Sequence, residues 1–271
     1  MFYHEIIDKL MKEEENNINR MYLQEIKLKW EHFEQTAAEN KESNEELTKA
    51  LNDFAKMISN KKFKYSQASR KGFKKNSMVF SPLYLANVVS IFIERSGILE
   101  HKGINWGFQS FSTNLKFNPK NLCSIEKDPG YEFSDSPEFL QLAQKMDFQF
   151  RIRGKRNFKK YEITLPLLVF HIVKNLTNED FIRFDYYAKI AKNTFEKSRS
   201  IIITETLDTD YVPELSNSPV DVIFILRKQQ KAKTEEEISL DVIDAIEKKI
   251  LDFIHEKEEK SEAYKNTGII E

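Results

Sequence analysis

The chain has 271 residues, enough to bury a sizeable core, and is read as one mixed domain with helical additions. Its 31% of charged and 40% of hydrophobic residues exclude an intrinsically disordered protein, and a formal net charge of −1 leaves any attraction to a polyanion to local clustering. The lone Cys123 excludes an internal disulfide framework and a multi-cysteine zinc site.

The start, MFYHEIIDKLMKEEE, lacks an apolar signal core, and no run approaches the ~18 apolar residues of a membrane span, so a soluble, cytoplasmic protein without a membrane partner is expected. Residues 2 to 58 carry apolar residues at helical spacing: Ile6, Ile7, Leu10 and Met11, then Ile18, Met21, Tyr22 and Ile26, then Leu47, Leu51, Phe54, Ala55 and Ile58. Two or three helices are predicted, the last opened by Ser43 and Glu46 as a capping box. A basic loop over 60–76 follows, with Lys61, Lys62, Lys64, Arg70, Lys71, Lys74 and Lys75, no acid, and Phe63, Tyr65 and Phe73 between them. SPLYLANVVSIFIERSG then reads as a buried helix with Ser81 as N-cap, Pro82 at the first helical position and Gly97 after the end.

After Trp106 the texture becomes that of strands: FQSFSTNLKF, MDFQFRIR, YEITLPLLVFHIV, SIIITETL and PVDVIFILRK are short runs rich in β-branched and aromatic residues, predicted to form one sheet. Gly154 and Asn157 mark a turn, so Met146 to Val173 is expected to be a hairpin. A helical pattern follows from the N-cap candidate Thr177, so strand, helix and strand predict a crossover to a parallel neighbour. Residues 235–258 form a final amphipathic helix along Ile238, Val242, Ile246, Ile250 and Phe253, with a frayed tail over 259–271. The organisation expected is helical over 1–100, sheet core over 101–232, packing helix over 233–258, then tail. The fold class is α/β (α+β), a mixed sheet flanked by helices.

A hairpin, a crossover helix and a further strand resemble the core of restriction-type nucleases of the PD-(D/E)XK superfamily. More closely, LPLLVFHIVKNLTNEDFIRF, SIIITETLD and NSPVDVIFILRK, with NLKFNPKNL upstream, resemble the two-subunit Type II restriction endonucleases of the BbvCI kind, over roughly residues 108 to 230. The resemblance implies Mg²⁺-dependent phosphodiester hydrolysis, with an Asp on one strand and Glu-X-Lys on the next, and a second, heterodimeric subunit or self-association. Carboxylates at adjoining strand ends hold the ion, and the lysine stabilises or activates the attacking water. On that pattern Asp147 is the metal ligand and Lys174 lies near the scissile phosphate. His171 falls on the Glu, however, and Val173 on the Lys, with Lys174 one residue late.

Because strand side chains alternate faces, that offset puts Lys174 opposite Val173. Three outcomes are open: a bulge re-aims Lys174, Glu179 or Asp180 supplies a carboxylate from the next helix, or activity is lost. Double-stranded DNA is the expected partner. The basic loop would meet phosphates together with Arg151, Arg153, Lys155 and Arg156 of RIRGKRNFKK, a hairpin segment suited to a major groove. The competing reading is a non-enzymatic DNA-binding or protein-interaction protein in which Asp147, His171 and Lys174 are ordinary strand residues.

Overall fold

The computed structural model describes residues 2–15, 17–39, 43–59, 72–117, 131–150, 159–208, 212–228 and 236–267. Over 2–6, 58–59, 72–83, 114–117, 131–133, 147–150, 159–161 and 257–267, and at Ala37, it describes the backbone alone.

Three helices open the chain: α1 (Phe2–Glu13), α2 (Asn17–Glu39) and α3 (Asn44–Ser59). Ser43 caps α3 as expected, its Oγ accepting from the Glu46 amide at 3.5 Å. The next helix, α4 (Gly72–Arg95), starts nine residues before the expected Ser81 cap and runs through Pro82. A proline removes one internal hydrogen bond, and α4 bears that loss because Tyr84 to Val89, Phe92 and Ile93 are buried and hold its second half. Lys74 and Lys75 therefore stand on a helix and not in a loop. Gly97 follows the helix end at φ 71°, a conformation that favours glycine.

The strands are β1 (Ile104–Gln109), β2 (Ser112–Phe117), β3 (Tyr131–Asp135), β4 (Phe139–Phe150), β5 (Lys159–Thr177), β6 (Arg199–Asp208) and β7 (Val222–Ile225). Helix α5 (Asn178–Thr194) joins β5 to β6, and α6 (Leu240–Thr267) closes the chain. They form a five-stranded sheet in the order β1-β4-β5-β6-β7 and a separate two-stranded sheet of β2 and β3. β4 runs antiparallel to both β1 and β5, while β5, β6 and β7 are parallel. The hairpin and the parallel crossover are thus present. The expectation of one sheet is corrected: FQSFSTNLKF breaks after Gln109 into strands of two different sheets, because the Phe111 amide bonds the Ser136 hydroxyl and Phe111 packs against Val169. The expected tail is also shorter, since α6 extends to Thr267.

One face of the large sheet, with Leu140, Leu142, Leu168, Phe170, Ile201, Ile203 and Phe224, shares a single apolar core with Trp30, Phe33, Leu47 and Phe54 of the N-terminal helices, Phe92 of α4 and Ile246 of α6. The other face packs Ile202 and Val169 beneath Phe184, Ala188 and Ala191 of α5. Covered on both faces, β6 is buried from Ser200 to Leu207, which explains its nearly unbroken apolar run. No helix among the described residues is long and apolar enough to cross a membrane.

Candidate functional site

The carboxyl ends of the parallel strands bring the candidate residues of β5 next to the start of α5. Thr177 caps that helix: its Oγ1 accepts from the Asp180 amide at 3.1 Å and donates to Asp180 Oδ2 at 2.8 Å, and Arg183 donates to Asp180 Oδ1 at 2.6 Å. Both Asp180 oxygens are therefore engaged. Glu179 lies exposed on the first turn, and among the described residues neither acid forms an ion pair with Lys174.

His171 is 2% exposed and lies under α5. Its ring stacks on Phe184 at 4.6 Å and meets the edge of Phe139 at 5.3 Å. Neither ring nitrogen has a hydrogen-bond partner. Burial, and after it the nearby Arg183 charge, pushes the imidazole pKa down from 6.5 to about 3, so the ring is neutral. This is the environment of a core aromatic.

Lys174 is half-buried. The β5–β6 register keeps one offset from Leu168–Arg199 to Thr177–Asp208, but the ladder skips Lys174, passing from Val173–Thr204 to Asn175–Thr206. Another irregularity in β5 lies beside Pro166, where its pairing with β4 shifts between Leu142 and Ala143. Val173 and Leu176, three residues apart, pack in one cluster with Phe184 of α5, so strict alternation does not run through Lys174.

On the neighbouring strand β6, Glu205 lies between Thr204 and Thr206, the partners of Val173 and Asn175. Glu205 is buried: Tyr84 Oη donates to Oε1 at 2.5 Å, and Arg227 Nε donates to Oε2 at 2.9 Å. Arg227 also donates to the Glu236 carbonyl. This ion pair joins α4, β6 and the end of β7, and it assigns a structural role to the arginine of the Ile-Leu-Arg run. Sequence reasoning missed it, because an acid in SIIITETL carries no local sign of its partner.

Asp147 and Lys174 are not brought together. Asp147 pairs with Glu162, which precedes Lys174 by twelve residues on the same strand, a separation of about 40 Å at roughly 3.3 Å per residue. In an antiparallel hairpin, residues near the turn on one strand meet residues near it on the other. β4 begins at Phe139 and not at Met146, which leaves Asp147 towards the turn. The far end of this ladder is the Leu140–Phe170 pair, so the start of β4, and not Asp147, lies towards the Lys174 end of β5. The missed signal was hairpin length: a partner for Lys174 must lie about as far before the turn as Lys174 lies after it.

A Mg²⁺ ion requires several oxygen donors at one place. Among the described residues no three acids, histidines or cysteines converge to hold a metal, and the described donors do not fit the ion. Of the predicted DNA-contacting residues, Lys74 and Lys75 begin α4, while Lys61, Lys62, Lys64, Arg70, Lys71, Arg151, Arg153, Lys155 and Arg156 lie outside the described residues. Among the described residues, beyond Gln144 on β4 and before Leu165 on β5 the two strands pair only with each other, forming a two-stranded arm on either side of 151–158 in the chain.

No protein-family model matches the chain, and no curated protein matches it by sequence. Among solved structures it is similar to a chain of the native BbvCI A2B2 tetramer, with a TM-score of 0.62 and 15% identity, over 94% of this chain and 95% of that one. The five-stranded mixed sheet flanked by helices is thereby restriction-endonuclease-like in fold.

Proposed function

We propose that the chain is a DNA-binding subunit of a Type II restriction-type endonuclease that works with a second subunit. The observation that carries this reading is the fold correspondence along nearly the whole chain with a component of a multi-subunit assembly. The β4–β5 arm supports it. A two-stranded ribbon enters a major groove, and Arg151, Arg153, Lys155 and Arg156 fall in the segment between its strands, where guanidinium groups read guanine and ammonium groups meet phosphate. Lys61 to Lys75 form a second basic stretch suited to backbone phosphates.

Gel retardation of duplex DNA tests the proposal. Affinity is expected to fall on the order of a hundredfold between about 50 and 200 mM salt. Replacing Arg151, Arg153, Lys155 and Arg156 together by Gln should weaken binding and flatten that slope. A chain that retards no duplex at low salt, or whose binding ignores both salt and the replacements, refutes DNA recognition through the arm.

A further inference from the structure

We infer that position 171 belongs to the core and cannot serve a metal, so that within the assembly proposed above, on which this inference rests, the chain recognises DNA and leaves strand hydrolysis to its partner. Metal-assisted phosphodiester hydrolysis requires oxygen donors, a charge near the attacking water and the scissile phosphate in one accessible place. Here the candidate groups are kept apart. His171 lies beneath α5, boxed by Phe139 and Phe184, with no partner for either nitrogen. Asp147 pairs with Glu162, twelve residues before Lys174 on the same strand.

Nor is the mid-strand acid of the neighbouring β6 free. That acid is Glu205, and both its oxygens are taken by Tyr84 and Arg227. Asp180 is likewise engaged, by Thr177 and Arg183, and among the described residues no three acids, histidines or cysteines converge to hold a metal. A glutamate placed at 171 would bury a carboxylate between two aromatic rings, whereas a phenylalanine would fill the same space and remove two unsatisfied nitrogens. The imidazole is the polar residue closest in shape to what the pocket favours.

The full chain is titrated with Mg²⁺ and with Mn²⁺ by calorimetry and incubated with supercoiled plasmid and Mg²⁺, alongside H171F and H171E. The expected result is no saturable heat at millimolar metal and an intact plasmid. H171F should melt within about 3 °C of the wild type or above it, and H171E more than about 5 °C below it, with no stabilisation by either metal. Saturable Mn²⁺ binding that H171F abolishes, metal-dependent nicking by the wild type, or an H171E variant stabilised by Mn²⁺ would each overturn the inference. Should H171E fail to fold, the H171F comparison and the wild-type titration decide alone. Failure of the DNA-binding proposal shows separately, as missing gel retardation with these readouts unchanged.

Discussion

An imidazole wedged between Phe139 and Phe184 without a hydrogen-bond partner must stay uncharged, because protonation would place an unpaired cation in an apolar layer beneath α5. The folded protein holds His171 at a pKa of about 3, against 6.5 for the exposed group. The sign follows: the unfolded chain takes up a proton that the folded one refuses, so the contribution to stability is complete above pH 6.5 and is lost as pH falls towards 3. The slope from this group approaches about 1.4 kcal/mol per pH unit. Urea unfolding of the wild type and H171F across that acid range should therefore give profiles that diverge below the upper limit, with H171F losing less. Parallel profiles would show that the imidazole is protonated in the fold.

At the scale of elements, the Tyr84–Glu205–Arg227 cluster decides how α4, β6 and β7 are held together. A buried ion pair adds little against apolar residues of equal volume, but removing one member leaves the other charge stranded. Arg227→Met should cost about 3–5 kcal/mol, whereas Glu205→Met combined with Arg227→Met should recover most of that loss. Equilibrium unfolding of the single and double variants measures the coupling. A double variant as unstable as the sum of the singles would mean that the two side chains do not depend on one another. The element scale also explains the Leu165-Pro166 pair in β5: a proline is accommodated inside this sheet because pairing shifts beside it, before β6 begins at Arg199 opposite Leu168.

Across the whole molecule the helices and the sheet share one core, so they are expected to unfold together. Its two tryptophans report on both parts: Trp30 is fully buried in α2, and Trp106 on β1 packs edge-on against Phe170 at 5.5 Å. In W30F and in W106F the remaining tryptophan's fluorescence midpoint should coincide with that variant's own far-UV circular dichroism midpoint. Separate transitions would make the N-terminal helices an independent unit. A shared core also keeps the arm's base rigid, since β4 is paired with β1 on one side and with β5 on the other where the arm leaves the sheet.

Local chemistry made much of the fold legible. Apolar periodicity marked the helices, β-branched runs marked β5, β6 and β7, and Thr177 and Gly97 announced helix ends through signals that act within a few residues. The site was less legible, because its geometry depends on which distant residues stand side by side. Asp147 and Lys174 read as partners until strand pairing set Asp147 against Glu162, twelve residues from the lysine. The same holds for His171, whose place beneath α5 follows from strand alternation and helix packing, and for Glu205, whose counter-charge waits on another strand. Composition along the chain determines which segments become strands and helices, whereas register and packing, which form only when remote segments meet, decide which side chains share a site.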